Sequence, residues 1–459
     1  MAAFVSGPSF VPLQQNELAT FQGNGSVALN SRRTLPYWFD GRFLAARDLA
    51  REQQYFLQRQ ADLGRAAGFG VVRGLMVRVP PPSANASADT LVIGAGQGVT
   101  PSGELVLLTA DLTVRLADLV DDQNLDVQFG LSTTPQTPPR TRTGVFVLAL
   151  RPVEFTANPI VSYPTSIGGT RGTQDGDVVE ATAVSLVPFP DPVSVLDPSM
   201  RRAALARTIF LSASAPQLSP SLLPLAIVSV ADNAIEWVDV YLVRRETAPD
   251  YSGLRFGLAN RSVQQAFLQQ YDAHLVDTVT SRVSSQQSPG FAAATAFQAL
   301  PPAGRFPLAT VSVTSQGGTP AFSQTFFPQQ TDVRLSIVPD DEIAALFEDS
   351  MALPPIDLTQ PDAAFANVAV FALIRVPRAQ YAALKSKLPV LAPQTTAPRV
   401  LAFAAPIELL RIFRGGALGT PPSASDDAAW ASAIGTQTYG YYTRRRSSPT
   451  FVDFTLPPT

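Results

Sequence analysis

Between residues 46 and 67, apolar side chains recur at helical spacing. Ala46, Leu49, Ala50, Phe56, Leu57, Leu63 and Gly64 fall on one stripe with a period of about 3.5 to 3.6 residues. Arg47, Arg51, Glu52, Gln53, Gln58, Arg59 and Asp62 fill other positions. The pattern predicts a long helix ending at Gly68, a residue suited to the left-handed backbone beyond a helix C-terminus. A narrow stripe rich in Ala and Gly suits close helix packing, within the subunit or between subunits. Residues 69–79 then read as a strand with glycine breaks.

From 91 to 245 the signal is β. Candidate strands are 91–94, 104–109, 112–116, 145–151, 178–187, 225–230 and 235–244, separated by Pro and Gly clusters. Segments 131–143 and 158–177 read as long loops, of a length that is uncommon unless the loop binds something. Residues 262–283 form a second helix candidate, with Val263, Phe267, Tyr271, His274, Leu275 and Thr278 on one face. Beyond the linker at 284–290 the pattern is mixed. Strands are expected at 308–314, 332–338, 368–376, 400–403 and 407–413, and short helices from 340, at 377–386 and at 426–434. A repeat of Pro224-Leu-Ala-Ile-Val-Ser-Val as Pro307-Leu-Ala-Thr-Val-Ser-Val reads more readily as coincidence than as duplication.

The expected fold class is mainly β, sandwich- or barrel-like, with a long N-terminal helix and a mixed α+β C-terminal domain. The expected divisions are an extended arm at 1–35, a strand-helix-strand docking module at 36–79, a β domain at 80–255, a helix and linker at 256–290, and the α+β domain at 291–459.

Composition narrows the chemistry. The 459 residues include no Cys and one His. That excludes disulfides, thiolate zinc sites and Cys nucleophiles. A Ser-His-Asp triad would rest on His274, which lies on a mostly apolar helix face and reads as structural. Charged residues are 15%, against roughly 25% in ordinary soluble domains, and Pro is enriched at 41 residues. Only Lys385 and Lys387 are lysine; the other 32 basic residues are arginine. Interfaces retain Arg while losing Lys, Glu and Asp, and a GC-rich genome explains part of the same bias. A net charge of −3 gives no global attraction to nucleic acid. No apolar run reaches the ~20 residues of a membrane helix, and no signal peptide is visible at the start.

Trp38-Phe-Asp-Gly-Arg-Phe-Leu-Ala-Ala-Arg-Asp-Leu-Ala-Arg-Glu-Gln, followed by Gly68-Phe-Gly-Val-Val-Arg-Gly-Leu-Met-Val, resembles an N-terminal module of baseplate-associated and fibre-associated proteins of contractile phage tails and tail-like injection systems. Phe39, Asp40, Gly41, Leu44, Ala46, Asp48, Leu49, Glu52, Gln53 and the 70–77 run match its pattern. The turn-strand at 96–106 and parts of 179–245 look similar to later portions of such proteins. The chain departs from the pattern at 60–67, where the family often carries His-Asn and Leu-His pairs. The resemblance implies a structural subunit that docks on other tail or baseplate proteins and fibres, oligomeric within the assembly, with no cofactor, no metal, no nucleic acid and no membrane insertion. With no signal peptide visible, synthesis in the cytoplasm is expected, and the resemblance implies residence in the particle. The expected interface residues are Tyr37, Trp38, Phe39, Asp40, Phe43, Leu44, Asp48, Leu49, Glu52, Phe56, Arg59, Leu63, Gly70, Val72 and Leu75. The alternatives are a carbohydrate-binding receptor-recognition protein of the same kind of particle, with glycan as ligand, and third a polysaccharide-degrading enzyme.

Other motifs favour plain readings. Gly94-Ala-Gly-Gln-Gly precedes a turn between strands, not a helix, so it lacks the setting of a dinucleotide loop. The acids at 121–126 match no calcium loop. Tyr439-Gly-Tyr-Tyr-Thr-Arg-Arg-Arg mixes aromatic and basic residues as single-strand binders do, but reads better as a solvated surface or subunit contact. Trp38, Trp237 and Trp430 read as core or interface.

Overall fold

The strand Gly144–Ser162 serves two cores. Val145, Val147 and Ala149 point to one face, Leu148 and Leu150 to the other, and all five are buried. Successive side chains of a strand leave opposite faces. A strand covered on both sides therefore reads as the unbroken apolar run seen at 145–150. It belongs to an antiparallel four-stranded sheet ordered Ala234–Asp239, Leu223–Ala231, Gly144–Ser162, Gly172–Pro188.

The structure is a computed structural model that describes residues 15–23, 26, 34–36, 40–81, 87–119, 141–163, 170–190, 197–212, 218–247, 261–316, 319–385 and 437–445. Two three-stranded sheets cover one face of the central sheet. One orders Gly70–Gly74, Gly96–Val99 and Leu105–Leu108; the other orders Val77–Arg78, Thr90–Ile93 and Leu112–Arg115. Their Val71, Leu75, Leu91, Ile93 and Val106 share a core with Leu148, Leu150, Leu186 and Leu225. The expected boundary at 79/80 therefore cuts through one core.

The helix Pro198–Leu211 covers the opposite face and packs Leu205 and Ala206 against Val145, Val147, Ile227 and Leu242. It falls within a region expected to be β throughout. Its start is conventional: the Asp197 side chain accepts from the N–H groups of Ser199 and Met200, and Pro198 occupies the first turn. The sheets are open and the architecture is mixed α/β, so the barrel expectation is corrected.

The helix Arg261–Ser284 presents Tyr271, Leu275 and Val279 to the C-terminal core. That core is built on a sheet ordered Ala303–Pro307, Tyr439–Arg445, Ala369–Val376, Asp332–Pro339, in which the last two strands are parallel and the other pairings antiparallel. Tyr439–Arg445 is thus an inner strand. Tyr442 is fully buried and its hydroxyl donates to the Pro301 carbonyl at 3.0 Å, while Arg445 pairs with Asp332. This corrects the surface reading of that motif: a sheet has taken its aromatics into the core.

Two further expectations change, the loop at 158–177 and the strand start at 308. Most of 158–177 is not loop, because the strands run on to Ser162 and from Gly172, pairing Ile160 with Gln174 and Val161 with Thr173. The Pro224 and Pro307 segments differ: the first is an inner strand, whereas Leu308–Thr310 is a 3₁₀ turn and the strand begins at Val311. The strand Gly96–Val99 follows Gly94-Ala95, and a Cβ on Gly96 would lie 2.3 Å from the Arg73 carbonyl oxygen, so Gly96 allows close strand approach. The segments 121–126, 131–140, 400–403, 407–413 and 426–434, with Trp38 and Trp430, lie outside the described residues.

Candidate docking site

The Ala46–Ala67 helix turns its apolar residues away from the body that carries it. Leu49 is 44% exposed, Phe56 54% and Leu63 71%, and Phe43 just ahead of the helix is 93% exposed. The better-covered positions are polar or small: Asp48 is buried, and Glu52, Tyr55, Gln58, Ala61 and Asp62 are partly covered. The usual amphipathic arrangement, apolar side inward, is reversed.

A local ion pair braces the start of the helix, and one attachment near its end holds it to the body. At its start, Arg42 donates to buried Asp48 at 2.8 Å, and Asp48 also places a negative charge in the first turn, where the helix dipole favours it. Near its end, Gly64 crosses Gly103 backbone to backbone. A Cβ on Gly64 would stand 2.2 Å from the Gly103 carbonyl oxygen, and one on Gly103 1.9 Å from that of Ala61. Gly103 also adopts φ +93°, a region that favours glycine. Arg65 donates to the Ser102 carbonyl at 2.7 Å and pairs with Asp62, while the Ser102 N–H reaches the Pro220 carbonyl at 2.8 Å. The turn that receives the helix is thereby tied to the β body.

After Gly68 the chain enters that body. Val71 exchanges backbone hydrogen bonds with Arg245 and Thr247. Arg244 donates to the carbonyls of Gly74 and Leu75, each at 2.8 Å, and so fastens a turn in which both residues have positive φ.

The expected interface residues consequently separate. Phe43, Leu44, Leu49, Phe56, Leu63 and Val72 are exposed apolar residues. Asp40 and Arg59 are exposed and Glu52 is half-buried. Asp48, Gly70 and Leu75 are buried within the chain and do not present the exposed surface expected of them. Leu75 is buried because its turn directs it into the core, and Gly70 because the 245–246 backbone crosses it. Tyr37, Trp38 and Phe39 lie outside the described residues.

A second apolar surface went unread in the sequence. Beyond residue 154 the Gly144–Ser162/Gly172–Pro188 hairpin continues as a two-stranded ribbon with Phe155, Ile160, Val161, Tyr163 and Val178 exposed. Gly172, Gly176, Pro159, Asp175 and Asp177 obscure its alternation.

Reactive chemistry is sparse. Among the described residues, no group of three or more His, Asp or Glu could hold a metal. His274 is buried against the Phe297 ring; burial, then the charge of Arg202, pushes its pKa down to about 3. A cleft of about 260 Å³ beside Arg78, Val238 and Tyr241 contains Arg202 and Asp277, which pair with each other at 2.8 Å. No described helix is long and apolar enough to cross a membrane.

No family model matches the chain, and no curated protein matches its sequence significantly. Three solved structures align weakly. A chain of the baseplate complex from the type VI secretion system aligns over 57% of this chain and 72% of its own, with 12% identity and a TM-score of 0.23. A chain of the type VI TssK-TssF-TssG baseplate subcomplex aligns over 55% and 71%, with 12% identity and a TM-score of 0.22. TssK itself aligns over 57% and 51%, again with 12% identity and 0.22.

Proposed function

We propose that this chain is a structural subunit of a contractile tail-like particle, a baseplate component or baseplate-to-fibre adaptor that acts by docking on other subunits. The observation that carries the reading is the exposed apolar stripe of the Ala46–Ala67 helix, rooted in the body by the Gly64–Gly103 crossing and the Arg65 bond to the Ser102 carbonyl. An apolar face held outward by dedicated contacts is a surface awaiting a partner. The resemblance of residues 38–77 to tail-protein modules supplies the class of partner, and the exposed ribbon supplies a second contact.

The test is assembly. Leu49→Glu/Leu63→Glu is introduced into the full chain in its own producing cell, and particles are purified. The reading expects the variant to fold and to be missing from particles that contain the parent chain. A parent chain that never co-purifies with a particle, or turnover of a glycan by the isolated protein, overturns it.

A further inference from the structure

The occupant of the helix face can be named from the helix itself. Leu49, Phe56 and Leu63 are spaced by seven residues, and Ala46, Gln53, Gln60 and Ala67 fill the companion positions three residues before or four after them. That is a seam of period 3.5, the repeat of helices that wind about one another. Glu52 and Arg59 flank this seam on the same side, again seven residues apart. Arg59 donates to the Tyr55 hydroxyl at 3.1 Å, and among the described residues Glu52 has no ion-pair partner.

We infer that the Ala46–Ala67 helix pairs antiparallel with the same helix of a second copy of this chain, about a two-fold axis at Phe56. Residues 49 and 63 are equidistant from 56, so Leu49 comes level with Leu63 of the partner subunit, and Phe56 meets its own equivalent. Glu52 comes beside Arg59 of the partner subunit, and the symmetry forms that pair twice. A parallel, in-register pair would instead stack Gln53 on Gln53 and Gln60 on Gln60, and would leave Glu52 and Arg59 flanked by uncharged Leu57 and Gly64. The charge pattern therefore selects both the partner and the direction. The contact extends past both ends of the helix, because Phe43 and Leu44 precede it and Phe69 follows it, all exposed. A helix of 22 residues is ~33 Å long, enough for a specific pairing surface. This inference rests on the docking reading and assigns the helix to self-association.

The chain contains no cysteine, so single cysteines report the geometry directly. Purified full-length protein is expected to sediment as a dimer at micromolar concentration. Phe56→Cys should form a disulfide-linked dimer on mild oxidation. Leu49→Cys alone should not, but mixed with Leu63→Cys it should cross-link to that variant. Glu52→Arg should weaken dimerisation at least tenfold, and Glu52→Arg/Arg59→Glu should restore it, a rescue that a folding defect would not give. A protein that stays monomeric at tens of micromolar, or Leu49→Cys cross-linking to itself, overturns the inference. If such a monomer still enters particles, a foreign subunit covers the stripe: the self-pairing is then wrong and the docking reading stands.

Discussion

Arg207 grips Asp357 with both arms of its guanidinium. Nε donates to Oδ1 at 2.9 Å and Nη2 to Oδ2 at 2.8 Å, across 150 residues of sequence. The pair joins the Pro198–Leu211 helix, which covers the central sheet, to the short strand Ile356–Asp357 of the C-terminal part. Burial pushes the Asp357 carboxyl up, but hydrogen bonds from Arg207, Thr359 and Gln360 outweigh it and leave its pKa well below the usual carboxylate range.

Arg207→Ala should therefore loosen that junction. The expected cost is about 1 kcal/mol, the scale of a part-exposed but bidentate pair, and Arg207→Lys should recover little because a point charge does not reproduce the fork. The depressed pKa gives the sign of the pH dependence. The stabilisation is present above the ordinary carboxylate pKa near 3.8 and is lost as pH falls below it. Denaturant melts at pH 7 and pH 3 check both points, and equal losses for the variant at the two values would contradict the assignment.

His274 provides a second pH signature. Its pKa is lowered from 6.5 to about 3, so the folded chain keeps a neutral imidazole where the unfolded chain takes up a proton. Stability is undiminished above pH 6.5 and falls as pH drops, by up to about 1.4 kcal/mol per unit. As the chain's one histidine, it dominates the window from pH 6.5 to 5. Melts of His274→Gln should lose most of this slope.

Arg202, on the Pro198–Leu211 helix, reaches the Arg261–Ser284 helix that carries His274. It donates to buried Asp239 at 2.6 Å and to Asp277 at 2.8 Å, and Gln270 also donates to Asp239 at 3.1 Å. Removing one partner of a buried pair leaves the other charge uncompensated, which costs about 3–5 kcal/mol. Arg202→Ala should lose that much in urea unfolding. Arg202→Ala/Asp239→Asn should lose less than the single variant, the reverse of additivity.

The glycine crossing tests how the helix is seated. Gly103→Ala introduces a methyl group where 1.9 Å is available and strains a positive φ, so the helix must lift from the 100–104 turn. A loss of about 1–3 kcal/mol is expected, with faster tryptic cleavage at Arg47, Arg51 and Arg59. Gly23→Ala, where a Cβ meets nothing within 4 Å, is the control and should change neither.

Much of the local structure was written in the chain. The unbroken apolar run at 145–150 and the alternation at 235–239 lie on strands because hydrophobic period and β propensity act over a few residues. The Pro198–Leu211 helix was missed because its interior hides the helical period. Buried Arg202 stands where an apolar residue would mark the inner face, and its charge is acceptable there because Asp239 arrives from a distant strand.

The apolar stripe of 46–67, its flanking charges and the lack of thiols follow from the order of residues alone. The outward turn of that stripe, the burial of Leu75 and Gly70, and the ribbon that occupies most of 158–177 came only with the folded chain. Periodicity defines which residues share a face. Which way that face turns depends on contacts between residues far apart in the chain, such as Gly64 on Gly103 and Arg244 on the Leu75 carbonyl.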